Sequence, residues 1–544
     1  MCVAKCSLSD NLGRCGMAER ERHPWSLKWL FGIEHWERFG FYTMLGILAL
    51  FLMDTAKGGY GLDKKSVGSI VGTFIALVYM TPFLGAMLAE RVLGLRKTIL
   101  IGAFTLAAGY FMLAFTESKV LFYSGLGVIA LGNGLFKPNI SALLGKFYSD
   151  DSKLVKSAFN IFYMGINIAG LTCNFVAAYL RHNYTWGTAF AGAGVGMTIA
   201  VLMILLIYKR LGPIDEQIFE QMRAKRDPNE VGFAYLGKWV LPPLALLAAF
   251  GYWIGGMTWA YLLACIPIIV FYYRLWATAK VEERGPMGAL LVLFIAIMPF
   301  FTIYGMSSTA LTFWAEENTE RQIDTPVINW TLDTFQFADE VDSSSPYFNA
   351  TETKADIPSM ITATPQEGQK VKLVSAELFQ SLNPFFVVTI IPLLEFLMAF
   401  LRRRKKEPST PVQLGIGLLI AAFSMLVMYA AVKASYTNGS MVKVTAWWLV
   451  FAYFFSTAAE VFVSPTGLAL VRQMSPKRFT AVMMGGWFII ASSIGMRLAG
   501  LASGLWETIS HEALFLGLFA FAGLAALLVF ALSGWLNQYI PKSS

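Results

Sequence analysis

Apolar runs of about 20 residues, the length that crosses a bilayer as a helix, recur along this chain at 28–53, 66–89, 97–116, 120–144, 155–179 and 187–208. A polar stretch, 209–236, follows and carries Lys209, Arg210, Arg223, Lys225 and Arg226. Two more runs, 237–254 and 257–276, lead to a last set at 287–314, 377–401, 412–433, 446–472, 480–503 and 512–537. The pattern predicts an all-α polytopic membrane protein with fourteen helices, grouped as six, two and six. Outer-membrane barrel strands alternate in polarity and never run apolar for this long, so a barrel is excluded.

Loop charge orients the helices, because basic residues collect on the cytoplasmic side. Arg20, Arg22 and Lys28 precede the first helix, and Arg91, Arg96 and Lys97 follow the second. Lys146, Lys153 and Lys156 follow the fourth, Arg402 to Lys406 the tenth, and Arg472, Lys477 and Arg478 the twelfth. All of these fall on one side, so both termini are expected in the cytoplasm and the chain in the cell membrane. The expected divisions are a tail, 1–27; a six-helix bundle, 28–208; a linker with two extra helices, 209–286; a second six-helix bundle, 287–537; and a tail, 538–544. The long loop 316–376 lies on the opposite side, with eleven acids and four bases. It is expected to be poorly packed or a small lid. Two bundles of six with a site between them is the layout of alternating-access transporters.

Composition narrows the class. Of 544 residues, 56% are apolar and 14% charged, against roughly 45–50% and 25% in soluble proteins. A soluble enzyme, a disordered chain and a fibrous protein are excluded. The net charge of +8 is explained by cytoplasmic loops, so no nucleic-acid partner is expected; the lipid bilayer is. The five cysteines (Cys2, Cys6, Cys15, Cys173, Cys265) and four histidines (His23, His35, His182, His511) have no metal spacing, so no metal or organic cofactor is expected. The first 25 residues lack an apolar core, so no cleaved signal is expected.

The informative residues are ionisable groups within apolar runs, which are costly there and mark sites or proton paths. Glu34, Glu37 and Arg38 stand three and four apart in the first helix and share one face. Lys137 lies inside the fourth run, within Gly132-Asn133-Gly134-Leu135-Phe136-Lys137-Pro138, and needs a partner. The surplus carboxylate of the first helix, Glu34 or Glu37, is the candidate. Gly132 and Gly134 permit close helix approach. Glu460 is the only carboxylate between Lys443 and Arg472, so it must face a cavity or a distant partner. Asn167, Asn383 before Pro384, Tyr79 beside Thr81-Pro82, and Trp487 after Gly485-Gly486 are further polar positions in apolar surroundings.

Together these strings resemble the proton-dependent oligopeptide transporters of the major facilitator superfamily. Glu34 to Tyr42 matches that family's first-helix Glu-x-x-Glu-Arg-Phe-x-Tyr-Tyr motif, with Phe41 in place of a tyrosine. Tyr79 to Gly94 resembles the second-helix signature, with Glu90 for aspartate, and Lys137 matches the fourth-helix lysine. Phe159 to Gly170, Ser381 to Pro384, Glu460 to Leu468 and Met484 to Phe488 resemble the signatures of the fifth, eighth, tenth and eleventh family helices. The two extra helices resemble the prokaryotic members. One departure stands out: no acid occurs between Pro286 and Ala315, where the family often places an outer-gate carboxylate opposite the first-helix arginine.

The resemblance implies a major facilitator fold and proton-coupled import of di- and tripeptides, with no enzymatic activity. It implies that a peptide ammonium meets Glu460 and Asn383, and a peptide carboxylate meets Arg38 and Lys137. Tyr42, Tyr79, Asn167, Ser464 and Trp487 would line the pocket. Glu34, Glu37, Arg38 and Lys137 would couple the proton, the only co-substrate ion expected. A monomer is the expected state. Two alternatives remain at this point: a transporter of another metabolite such as nitrate, a drug or an amino-acid derivative, and a peptide sensor that no longer transports.

Overall fold

The computed structural model describes residues 23–148, 154–224, 237–322 and 325–540, apart from 337, 344–345, 350–365, 367–368, 438–439 and 477–478. The tail through residue 22 with Cys2, Cys6 and Cys15, and the loop bases Lys153, Lys225, Arg226, Lys477 and Arg478, lie outside the described residues.

Thirteen described helical segments are long and apolar enough to cross a membrane. The first bundle contains α1 (Ser26–Met53), α2 (Lys64–Leu88), α3 (Leu95–Ala114), α4 (Lys119–Lys146), α5 (Val155–Asn183) and α6 (Trp186–Ala224). The segment Leu241–Thr278 leaves helical geometry at Gly255 and Gly256, where Gly256 has φ 71°. The chain folds back there, bringing Gly251 against the Trp259 backbone. It therefore forms a hairpin of two helices, α7 (241–254) and α8 (257–278). The second bundle contains α9 (Val281–Glu317), α10 (Ala376–Arg403), α11 (Thr410–Ser435), α12 (Trp447–Met474), α13 (Val482–Ser503) and α14 (His511–Asn537). With fourteen crossings among the described residues, the start of α1 at Ser26 and the end of α14 at Asn537 lie on one face, the terminal face. The 316–376 segment lies on the other, the loop face. This is a multi-pass membrane protein with the major facilitator architecture.

The polar stretch expected from residue 209 does not begin as a loop: α6 runs on to Ala224. Asp215 on this extension accepts from the Arg96 backbone N–H at 3.1 Å. That carboxylate sits over the turn at Gly94, whose φ of 80° favours glycine.

Glycines set the helix spacing. Gly132 packs on Gly102 and Leu106 of α3, and Gly134 on Thr81 of α2, the close approaches expected of this pair. The two bundles meet where the second helix of one faces the fifth of the other: α2 against α13, and α5 against α10. At the first of these seams Gly68, Gly72 and Gly500 bring the backbones into direct contact.

The expectation of a poorly packed loop 316–376 is corrected for its described part. Three short sheets form on the loop face. β1 (Thr319–Glu320) pairs with β6 (Val444–Thr445), β2 (Ala338–Val341) with β3 (Val371–Val374), and β4 (Tyr436–Thr437) with β5 (Ser440–Met441). Glu320, Arg321 and Asp339 are buried, so this acidic segment is built into the bundle end.

Candidate functional site

Glu34, Glu37 and Arg38 of α1 turn inward together: Glu34 and Glu37 are fully buried and Arg38 nearly so. The Lys137 ammonium on α4 donates to Glu34 Oε1 at 2.7 Å. Arg38 Nε donates to Glu37 Oε2 at 2.5 Å, a second Arg38–Glu37 bond completes a bidentate pair, and Nη2 donates to Asn133 Oδ1 at 2.9 Å. Asn133 is itself fixed by donating to the Val78 carbonyl at 3.2 Å. Two carboxylates and two cations therefore balance, and the choice of partners is settled: Lys137 takes Glu34, and Arg38 takes Glu37. The second Glu34 oxygen, Oε2, is buried without a hydrogen-bond partner among the described residues. Phe41, where the family motif has tyrosine, puts its ring 4.8 Å from the Arg38 guanidinium carbon. A cation–π contact thus stands where a phenol was missed.

Across the seam, Asn383 Nδ2 donates to Glu460 Oε2 at 2.8 Å and to Thr457 Oγ1 at 3.0 Å. The Tyr304 hydroxyl of α9 lies near Glu460 as well. Asn383 lies in the first α-helical turn of α10, just after a 3-10 turn at Ala376–Ser381. The missing N–H of Pro384 is harmless at that position. Ser464 sits one turn beyond Glu460 on the same face of α12, half-buried.

Four tyrosines join the two poles. Tyr42 and Tyr79 lie close enough to feel both Arg38 and Glu460, while Tyr163 and Tyr304 feel Glu460. Asn167 is buried and spends its amide on the Tyr163 carbonyl, at 2.9 Å. A cation-bearing wall from the first bundle and an anion-bearing wall from the second thus face one tyrosine-lined space.

Trp487 departs from its expected place. Its indole is 1% exposed, packed edge-on against Phe294 and Phe301 and seated over Gly467. It supports the wall through Phe301, whose ring meets Tyr79 at 6.3 Å, and does not present a surface of its own. Asn133, Tyr163, Thr457 and Tyr304 were not singled out from sequence. Asn133 and Tyr163 lay inside strings that were read for their neighbours, and Tyr304 lay in the run searched only for an acid.

The loop face carries a second ionic cluster. Arg181, at the end of α5, donates to Glu377 through Nε at 2.6 Å and Nη2 at 3.0 Å, and to Asp339 at 3.2 Å. Arg321 donates to Asp339 at 3.0 Å and Glu316 at 2.9 Å. His182 bonds Ser375 at 2.8 Å and lies 3.3 Å from Asp339, with Lys57 3.8 Å from the same carboxylate. Burial alone would raise the Asp339 carboxyl, but Arg181, His182, Arg321 and Lys57 together hold it well below the ordinary range. Lys64–Glu317 at 2.6 Å, Asn174–Ser381 at 3.1 Å and Gln380–Gly46 at 3.2 Å add further ties between the bundles. The conformation is closed on this face, while Lys137 keeps 31% of its side chain exposed and Tyr163 38% of its surface. The absent seventh-family-helix acid is thus no gap: Glu37 and Asn133 hold Arg38, and a different arginine closes the loop face.

Fold and site together define a major facilitator transporter with opposed charges on its two halves. The POT family profile matches residues 96–226 and 369–517. The chain belongs to the POT family. Among similar proteins, "Dipeptide and tripeptide permease A" of Chromobacterium violaceum is 30% identical over 89% of this chain and 86% of its own. The protein of the same name from Proteus mirabilis is 29% identical over 89% and 86%. An uncharacterized transporter, YclF, of Bacillus subtilis is 28% identical over 89% of each chain. A crystal structure of a POT peptide transporter in complex with alafosfalin superposes with a TM-score of 0.71 at 25% identity, covering 96% of each chain. A POT family transporter in complex with 5-aminolevulinic acid gives 0.75 at 22% identity, over 95% of this chain and 97% of that one, and shares the fold.

Proposed function

We propose that this protein is a proton-coupled symporter that imports di- and tripeptides by alternating access. The observation that carries the reading is the pair of opposed poles. Arg38 and Lys137 stand on one bundle and Glu460 with Asn383 on the other, with Tyr42 and Tyr79 within electrostatic reach of Arg38 and Glu460. A short peptide is a zwitterion. Its carboxylate suits the arginine and lysine, and its ammonium suits Glu460, held ready by the Asn383 amide. Binding both ends draws the bundles together, which ties occupancy to the rocking of one half against the other. The similar permeases, named for dipeptides and tripeptides, support the same substrate class. An anion carrier would have no use for Glu460 at that pole.

Proton coupling is assigned to the Glu34–Lys137 pair. A protonated Glu34 has no charge with which to hold the lysine ammonium, and the unpartnered Oε2 gives the proton a place to sit. Released Lys137 is then free for the peptide carboxylate. The basic loops put the terminal face in the cytoplasm, so a molecule closed on its loop face is facing inward. A monomer suffices for this cycle, because both poles come from one chain.

The test is uptake of a labelled neutral dipeptide into proteoliposomes, with and without an inward proton gradient. Gradient-dependent accumulation is expected in the parent protein. Glu34→Gln should lose that accumulation and retain peptide exchange across liposomes at equal pH. Accumulation retained in Glu34→Gln would remove Glu34 as the proton carrier. Failure of the parent protein to bind dipeptide would remove the substrate class.

A further inference from the structure

Of the four buried arginines among the described residues, three face carboxylates: Arg38 has Glu37, Arg181 has Glu377, and Arg321 has Asp339 and Glu316. The fourth, Arg497 on α13, does not. It is 1% exposed, and among the described residues Tyr261 is the titratable neighbour that acts on its charge. Its Nη2 donates to Thr258 Oγ1 at 2.6 Å and to Ser69 Oγ at 3.3 Å. Its Nε and Nη1 meet no acceptor among the described residues. A guanidinium is always charged and presents five N–H donors. Burying one without an anion is among the costliest arrangements a protein can make.

The position says where an anion would come from. Arg497 lies six residues before Ser503, the end of α13, which at 1.5 Å per residue is about 9 Å from the loop-face end. Ser69 lies five residues inside α2, roughly 7.5 Å from its start by the same rise, and Thr258 is two residues past the Gly255–Gly256 bend. Arg497 and Ser69 thus lie about 7–9 Å inside the loop-face ends of their helices, where Thr258 meets Arg497, within the roughly 5–10 Å level of the headgroup and acyl boundary. The hairpin here turns Trp253, Met257 and Trp259 outward, 80%, 48% and 49% exposed. Tryptophans on such a surface mark the membrane interface. The guanidinium therefore lies beneath the hairpin, on the side of α2 and α13 that the hairpin covers, at the depth of the membrane interface.

We propose that Arg497, Thr258 and Ser69 form an oxyanion site for a phosphate group between the hairpin tip and the α2–α13 seam. The guanidinium supplies charge and donors, and the two hydroxyls supply further donors. Planar forked recognition of phosphate is what an arginine does best. A lipid phosphodiester and free inorganic phosphate share this chemistry, and the depth favours the lipid. Such a group would bridge the hairpin, the first bundle and the second at the seam where the halves rock.

The experiment uses full-length protein, purified and stripped of lipid in detergent. Its thermal unfolding is followed on titration with phosphatidylglycerol, with uncharged diacylglycerol of the same chains, and with inorganic phosphate. Native mass spectrometry counts retained phospholipid. The midpoint should rise with phosphatidylglycerol and not with diacylglycerol, and one phospholipid should be retained. Arg497→Gln should lose both effects, and Thr258→Val, which leaves the cation in place, should raise the half-saturating lipid concentration about tenfold. A rise with inorganic phosphate equal to that with lipid assigns the site to the free anion. Where Arg497→Gln does not purify folded, Thr258→Val decides alone. Equal titrations in parent and variant, or no response to either phosphate source, overturns the proposal.

Discussion

The central cluster and the loop-face cluster are built from the same materials and do different things. At the centre, Glu34 and Glu37 balance Arg38 and Lys137; on the loop face, Glu316, Asp339 and Glu377 balance Lys57, Arg181 and Arg321. The central partners all belong to α1 and α4, inside one bundle, so rocking the halves leaves their pairing intact and only a proton or a ligand can alter it. The loop-face partners sit on both bundles. Opening that face must part Arg181 from Glu377, handing both ions to water. Two ions released into water together regain most of what their pairing gave, so the lock opens at modest cost. An ion pair inside a half is placed to answer small ligands, whereas one across the seam is placed to resist the parting of the halves.

Removing single partners should separate the two roles. Lys137→Gln should reduce gradient-driven uptake by about 100-fold or more, the scale of losing a buried charge partner worth 3–5 kcal/mol. The spacing between spin labels across the loop face should stay at its parent value; a widened loop face in this variant would merge the two clusters into one device. Arg181→Gln should do the reverse. It leaves Glu377 buried without its bidentate partner, at about 3–5 kcal/mol against the closed state, so the loop-face label distance should lengthen. Adding Glu377→Gln to that variant should restore much of the closure, and its failure to do so would show that Arg181 acts through packing alone. Gly500→Ala is the milder case. A methyl there would stand 2.7 Å from the Gly72 Cα and press on the Gly68 carbonyl, an overpacking cost of about 1–3 kcal/mol. The same labels should report a partial opening along α2 and α13, with the Lys137 pairing untouched.

The central cluster was legible because charge in an apolar run is an anomaly that needs no alignment to notice. Counting charges predicted that a first-helix carboxylate meets Lys137, and Glu34 does. The count could not choose between Glu34 and Glu37, because that depends on which turn of α1 faces α4. Trp487 misled for a related reason: an aromatic beside Gly485-Gly486 reads equally as wall or as core, and the slot over Gly467 that decides it lies on α12. The gate was hidden more deeply. Arg181 bonds Glu377 and Asp339 from 196 and 158 residues away, and within a segment of eleven acids nothing in the sequence marks one aspartate as buried. One signal was present. A basic residue at the loop-face end of α5 runs against the bias that orients the chain, and a cation in the disfavoured place has a structural reason to be there.

The smallest expected effect concerns Lys443, which borders the gate without joining it. Its ammonium donates to the Glu317 carbonyl at 2.5 Å and lies 4.2 Å from the Tyr347 ring centroid. Burial and the nearby Arg321 cation push its pKa down to about 8 despite Glu320 and Glu316. A lysine whose folded value lies below its unfolded one disfavours folding while it stays charged, and that penalty is relieved as pH rises from the folded value toward about 10.4. The parent midpoint should therefore climb relative to Lys443→Met between pH 8 and 10, and the two should run parallel from pH 5 to 7. Asp339 adds no slope there, because its depressed carboxyl loses its stabilising charge only in acid well below pH 4. A parallel pair of curves through pH 10 would mean that the Lys443 ammonium is hydrated from the loop face. The segment around Tyr347 would then be open to water, and the boundary of the gate would end at Arg321.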